Sequence, residues 1–438
     1  MDRRRELWLL LLCWLVFTGL GFLLKAPCGA DYNGRRDRLL CSNDIQVLYY
    51  TRGIADHTFP YIHGRLVSTP QGADLKDGAI EYPVLTGLAT WVAGLPASDS
   101  ASYLAYTALL LAPFSLLTAW LLYRWVRLRA YYFAAAPPLI WYSFHNWDLL
   151  VVAATVAAFY QWWKHRTIAA AILLGVGGAF KLWPLFLVAP LVLARLRDRD
   201  RVAAAWVLLA GTGTFALINL PFVLTNPGGW WASYQFQALR NADVTTNSIW
   251  YWAFPPDGLD RHTLNLLVPV LLAVAFLVAL RYGWVRGQRE DSYPFLGVSG
   301  AMLVAYLLLN KVHSPQYALW LLPFFALLRV RWGWWAAYMA LDAVLYVGLF
   351  RWFYDLSRGV DFGLAKQALV IGVWGRAVML VLMYVLFLRA KAAVPEPEGY
   401  GSWRDRELAR AAGRPAPTPG DHRDGPLSGR GGKPSHRR

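Results

Sequence analysis

The chain has 438 residues, 57% of them hydrophobic and only 16% charged, against about 25% charged in a soluble domain. That composition excludes a soluble globular protein, and the recurring apolar runs near bilayer length predict an all-α polytopic membrane protein. A net charge of +16 would suggest nucleic acid in a soluble chain, but most Lys and Arg fall in short loops between apolar runs and in the tail. This reads as membrane topology and contact with anionic lipid, with no nucleic-acid partner.

The first apolar run covers residues 7–24, behind Arg3, Arg4 and Arg5, which place its start in the cytoplasm. It is long for a signal-peptide core and many runs follow, so a retained helix is expected. Lys25-Ala26-Pro27-Cys28 is a poor lipidation site. The loop 25–100 then lies outside and carries Asn43 and Asp44 close to the membrane. Cys28 and Cys41 flank its start, and a disulfide or two separate thiols both fit the spacing. Cys13 lies inside the first run. Residues 83–95 are apolar but short for a crossing, and a crossing there would put Arg124, Arg127 and Arg129 outside. An outer juxtamembrane helix is expected instead.

The remaining runs are 101–123, 131–144, 149–163, 167–179, 183–194, 202–224, 263–280, 294–309, 317–328, 334–350 and 367–388. Together they predict a bundle of about twelve transmembrane helices, with a second outer loop at 225–262 and both termini inside. The shorter runs are expected to extend into their polar flanks or to be broken helices. Every inner loop is basic, as the scheme requires. Residues 1–391 form the catalytic unit of this reading; the basic tail, 392–438, is rich in Pro, Gly and Arg and is expected to be disordered in the cytoplasm.

On this topology the polar outliers fall on the outer side. They are Asn43 and Asp44; Glu81 and Tyr82; His145, Asn146 and Asp148; Lys181 and Trp183; Arg240 and Asn241; Asn247 and Ser248; Lys311, His313 and Gln316. Polar groups gathered from distant outer helix ends are the expected form of an outward-facing active site. Each also has a bland reading. Asp44 fits a solvated loop acid, and Glu81 and Asp148 fit acids at helix N-termini. Lys181 fits a snorkelling lysine, and His313 beside Lys311 an interfacial polar pair. Asp342 and Arg376 lie within runs, at roughly 3 kcal/mol each on insertion scales. They can pair with each other, or Arg376 can reach a lipid phosphate. Trp147, Trp183, Trp250 and Trp252 stand beside the cluster and could stack on a sugar.

Asp44 after the first run, Glu81-Tyr82-Pro83, Asn146-Trp147-Asp148, Lys181-Leu182-Trp183-Pro184, Asn247-Ser248 and Ser314-Pro315-Gln316-Tyr317 together give the chain a resemblance. In order and sidedness it resembles the GT-C-fold glycosyltransferases, and is most similar to glycosyltransferase family 87, the actinobacterial polyprenyl-phosphate-mannose-dependent group. The resemblance covers about residues 1–390. It implies a GT-C bundle whose first outer loop carries the catalytic carboxylate, here Asp44. It also implies transfer of a hexose, with mannose favoured, to a glycolipid or cell-envelope glycan. The first loop departs from the family's shorter pattern by adding Asp56, His63, Asp74 and Asp77.

Chemistry sharpens that expectation. Nucleotide sugars are absent outside the cytoplasm, so a donor there is carried by a lipid such as polyprenyl phosphate. Transfer needs a base for the acceptor hydroxyl, Asp44, and cations for the departing phosphate. Lys181, Arg240, His313 and Arg376 are the candidate phosphate contacts. Asn43, Glu81, Tyr82, His145, Asp148, Trp183, Asn247 and Gln316 are the candidate substrate contacts. No DxD or other dedicated metal motif stands in the sequence, and neither metal nor cofactor is expected. A lipid-linked sugar transporter or flippase is the alternative from another class, and transfer of arabinose the alternative within this one.

Overall fold

The computed structural model describes residues 2–29, 31–69, 72–243, 247–254, 259–290 and 292–394. The expected tail disorder lies, from residue 395 onward, outside the described residues.

The chain is a helical, multi-pass membrane protein. Helix α1 (Arg3–Lys25) starts at Asp2, whose carboxylate accepts the Arg4 N–H at 3.4 Å. The first long loop then folds into the short helix α2 (Asp44–Thr51), strands β1 (Arg65–Thr69) and β2 (Gly72–Lys76), and helix α3 (Val84–Gly94). The strands form an antiparallel hairpin with Arg65 opposite Lys76; only helices were expected in this loop. At about 1.5 Å per residue α3 falls well short of a hydrocarbon core about 30 Å thick.

Next come α4 (Ser100–Val126), α5 (Asp148–Trp163), α6 (Thr167–Phe180), α7 (Val188–Arg197) and α8 (Arg201–Thr225). The second long loop begins as α9 (Pro227–Leu239). The series ends with α10 (Arg261–Glu290), α11 (Phe295–Leu309), α12 (Ala318–Leu327), α13 (Trp332–Ser357) and α14 (Leu364–Arg389).

Among the described residues six helices, α1, α4, α8, α10, α13 and α14, are long and apolar enough to cross a membrane. The other segments read as crossings are shorter or broken helices. Residues 131–144 divide into Tyr131–Ala134 and Pro137–Tyr142, because Pro137 has no N–H to continue the ladder. Residues 183–194 divide at Leu187 between Trp183–Phe186 and α7, where Pro190 cannot bond the carbonyl four residues back. Helices α8 and α10 expose Leu209, Leu217, Leu224, Leu266, Val270 and Leu277, an apolar face suited to lipid. The core lies between α4, α5, α11, α12 and α13. Helices α6 and α8 approach closely at Gly175, where an added Cβ would run into the Gly211 carbonyl.

Side-chain bonds fix which helix ends lie together. Tyr123 Oη donates to the Arg3 carbonyl at 2.9 Å, and Arg127 pairs with Glu6 at 2.7 Å. Arg129 donates to the carbonyls of Phe325 and Ala326 at 2.8 Å each. Arg286 donates to those of Leu388 at 2.7 Å and Ala390 at 2.9 Å. The arginine-rich helix ends therefore meet at one end of the bundle. At the other end the C-terminus of α1 meets the loop around Ser42, the N-terminus of α5 meets that of α2, and residues 310–317 join them.

Candidate functional site

A cavity of about 1050 Å³ opens at the end opposite the arginines. Asp44 stands on its wall at the first position of α2. The turn before it is fixed by Asn43, whose side-chain oxygen accepts the Gln46 N–H at 2.8 Å while its amide donates to the Cys41 carbonyl at 3.0 Å. Tyr32 Oη bonds both the N–H and the carbonyl of Asn43, at 2.8 and 2.7 Å. Cys28 and Cys41 form a disulfide, which settles the pairing that spacing left open. The Asp44 N–H donates to the His145 carbonyl at 2.8 Å.

Asn146 links the carboxylate to its surroundings. Its Nδ2 donates to Asp44 Oδ2 and to Tyr82 Oη, both at 2.7 Å, and its Oδ1 accepts from Lys181 Nζ at 3.2 Å. Gln316 Nε2 adds a longer bond to Asp44 Oδ2 at 3.3 Å. Asp44 Oδ1 takes no hydrogen bond from the described residues; His145 Nε2 stands 4.0 Å away. The Asp44 side chain keeps 40% of its surface open, and that surface faces the cavity. Burial raises the Asp44 pKa, opposed by the Asn146 bond and by the charges of Lys181, Arg240 and Lys25. Burial, then the charge of Lys25, holds His145 well below the ordinary imidazole value, so it stands neutral beside the acid.

Lys181 follows α6 and forms a buried ion pair with Asp148, at 2.9 Å. Trp320 Nε1 donates to the same carboxylate oxygen at 2.7 Å. The rings of Tyr82, Tyr317 and Trp320 surround the ammonium at 5.0 to 5.6 Å. Trp183 stacks on Trp320 at 5.4 Å, and Tyr317 on Trp320 at 3.9 Å. The result is an aromatic wall with a locally neutralised cation behind it.

Two further cations line the cavity. Arg240, at the end of α9, and Lys311, after α11, both line the cavity. Lys311 Nζ donates to the Ala238 carbonyl at 2.9 Å and to Asn265 Oδ1 at 2.7 Å. Burial, then repulsion from Arg261 and Arg240, pushes the Lys311 pKa down to about 8. A like-charge group held by neutral acceptors is suited to an anion.

The structure gathers Asp44, Glu81, Tyr82, His145, Lys181, Trp183, Arg240 and Gln316 around one cavity. Glu81 is closed off as a free acid by Arg52, at 2.7 Å, which also holds Asp74 at 3.2 Å. It does not cap α3, whose N-cap position is Pro83 with no side-chain bond. Asn43 and Asp148 are buried behind the wall, as supports.

The expectation differs from the structure for His313, Arg376 and Asn247, which line a separate small void instead. Arg376 donates to His313 Nε2 at 2.7 Å and pairs with Asp342 at 3.1 Å. The intramembrane Asp and Arg pair with each other, and the arginine does not line the cavity. Burial and the Arg376 charge keep His313 well below the ordinary imidazole value, so it is no phosphate cation.

Sequence reasoning named Asn146, Lys311 and Tyr317 among the polar outliers and motifs but gave them no role, and it did not single out Lys25 or Trp320. Lys25 stood in the sequence reading only as the start of the outer loop and part of a poor lipidation site. A lysine at the outer end of the first span, against the positive-inside bias, was the available signal.

No family model and no curated protein matches the chain. Among solved structures it is similar to the crystal structure of ArnT from Cupriavidus metallidurans bound to undecaprenyl phosphate, at 15% identity and a TM-score of 0.36. The match covers 70% of this chain and 66% of that one, so this chain spans just under two thirds of its length. A likeness at that level carries no argument about chemistry or substrate.

Proposed function

We propose that the chain is a membrane glycosyltransferase of the GT-C kind. It moves a hexose, mannose by the family 87 resemblance, from a polyprenyl-phosphate carrier to an extracytoplasmic glycolipid or cell-envelope glycan. The observation that carries this reading is Asp44: one carboxylate oxygen is held by Asn146 at 2.7 Å, and the other is left for a substrate in a cavity that Arg240 and Lys311 also line.

In the proposed reaction Asp44 Oδ1 takes the proton of the acceptor hydroxyl. The acceptor oxygen bonds to the anomeric carbon as the bond from that carbon to the phosphate oxygen breaks, with inversion. Polyprenyl phosphate leaves without needing a proton, so one carboxylate suffices, whereas a glycosidase uses two. Arg240 and Lys311 take the phosphate contacts in place of His313 and Arg376. Lys181 orients Asn146 and lends Asp44 a positive field. The aromatic wall of Trp183, Tyr317 and Trp320 offers stacking for a sugar ring. No metal is assigned a role, because the cationic side chains supply the charge.

Two features support an extracytoplasmic site. The basic helix ends lie at the opposite end of the bundle, and the Cys28–Cys41 disulfide lies at the site end, as fits an oxidising compartment.

The test is to incubate membranes holding the chain with radiolabelled polyprenyl-phosphate mannose, then arabinose, and to follow label into lipids, glycans and proteins. Label should move with the wild type and not with Asp44→Asn. Full transfer by a folded Asp44→Asn variant removes Asp44 from the mechanism, and label that only changes leaflet identifies a transporter.

A further inference from the structure

Lys25 is the last residue of α1 and is fully buried. A buried ammonium is costly unless paired, yet among the described residues no carboxylate stands within 4.0 Å of it. Its Nζ donates to two neutral oxygens, the Ser42 carbonyl and Tyr346 Oη, both at 2.9 Å. Tyr346 Oη in turn donates to the Leu40 carbonyl. The rings of Tyr346 and Phe350 lie 5.1 and 5.8 Å from the charge. Both carbonyls belong to the stretch that leads into Asp44. Three other ties hold the same stretch, namely the Cys28–Cys41 disulfide, the Tyr32 bonds to Asn43 and a Gln46 bond to the Gly29 carbonyl. All three are neutral, so fastening alone does not require a lysine there.

We propose that Lys25 is a positioning residue for Asp44, tying residues 40–42 to α1 and α13 and placing an ammonium at the foot of the stretch that carries the carboxylate. This rests on the reading of Asp44 as the base. The charged and titratable groups that face Asp44 are Lys25 from α1, Tyr32 and Tyr82 from the first loop, His145 and Asp148 at the start of α5, Lys181 after α6, Arg240 after α9 and Tyr317 before α12. His145 stays neutral across the relevant range, and Lys181 is already matched by Asp148. Lys181, Arg240 and Lys25 all lend Asp44 a positive field, and of the three Lys25 alone also bonds the backbone that leads into it.

The experiment is a pH titration of the purified full chain by infrared difference spectroscopy, with Asp44→Asn subtracted to isolate the Asp44 carboxyl. In Lys25→Met the Asp44 midpoint should rise by about one unit, a tenfold gain in proton affinity. Lys25→Gln, which keeps a donor, should raise it equally, and Tyr346→Phe, which keeps the charge, should leave it in place. In the transfer assay Lys25→Met should lower kcat at least tenfold with donor KM within twofold, and move the acid limb to higher pH. An unmoved midpoint in a folded neutral variant overturns the proposal, as does failure of both neutral variants to fold, which makes the role structural. A midpoint that moves in a chain that transfers no sugar upholds the Lys25 coupling and rejects the glycosyltransferase reading.

Discussion

The pair Lys181–Asp148 offers the sharpest energetic test of how the site is built. The Lys181 side chain is 9% exposed and that of Asp148 0%, and they meet at 2.9 Å. Lys181→Met leaves a buried carboxylate with only the Trp320 N–H as donor. Asp148→Leu leaves a buried ammonium with Asn146 Oδ1 and three aromatic faces. Truncating one partner of such a pair costs about 3–5 kcal/mol, because the other charge stays buried. The double variant Lys181→Met with Asp148→Leu buries no charge. Its losses are the Trp320 and Asn146 bonds, about 1 kcal/mol each, so it should cost about 2 kcal/mol. Denaturant unfolding of the purified chain, followed by tryptophan fluorescence, measures all three variants. A double variant whose loss equals the sum of the single losses within ~0.5 kcal/mol would falsify the view that Lys181 and Asp148 form one neutral unit.

Three further outcomes follow from the geometry. Asn146→Ala leaves Asp44 Oδ2 with only the longer Gln316 bond and unlinks Lys181, so kcat should fall about 10- to 100-fold and the acid limb of the rate profile should move to higher pH; an unchanged limb would separate Asn146 from the base. In the wild type, burial raises the Asp44 pKa and only the ionised form accepts a proton. The rate should therefore climb with pH through a midpoint above the ordinary carboxylate value, and a profile flat across that range would rule Asp44 out as the base. Cys28→Ser opens a loop closed across 13 residues, worth about 3 kcal/mol by the loop-entropy account. Thermal unfolding under oxidising and reducing conditions checks this, and equal stability in both would refute it.

The helices were legible because each carries its own signal. An apolar run between basic loops needs no partner to be recognised, and α1, α4, α8, α10, α13 and α14 match runs seen in the sequence. The breaks at Pro137 and Leu187 were legible only as short runs, since hydropathy does not register a missing N–H. The β-hairpin was missed because residues 65–76 lack a strong period-two pattern. In the site, sidedness grouped Asp44, Lys181 and Arg240, which line one cavity. It could not tell which polar groups at one end of the bundle share a wall. His313 stands two residues from Lys311, yet Lys311 faces the cavity and His313 turns to Arg376. That difference is set by which helix packs behind residues 310–317, a contact between distant parts of the chain.

How the charges are partnered separates the two function classes. Arg376 is matched by Asp342, Lys181 by Asp148, and Arg52 by Glu81 and Asp74. Arg240 and Lys311 are neighbouring cations that line the same cavity as Asp44, and the Arg240 charge reaches the Asp44 carboxylate. A ligand with one anionic group and one hydroxyl answers the cations and the carboxylate at once, as a lipid-phosphate donor and an alcohol acceptor do. A transporter for the same lipid must also open at the arginine-rich end. There Arg129 is bonded to the carbonyls of Phe325, Ala326 and Leu328, and Arg286 to those of Leu388 and Ala390. Opening between those helices would strip charge-assisted bonds, each worth about 1.5–3 kcal/mol. A bundle fastened at one end and open to a polar cavity at the other fits the proposed transferase better than a transporter.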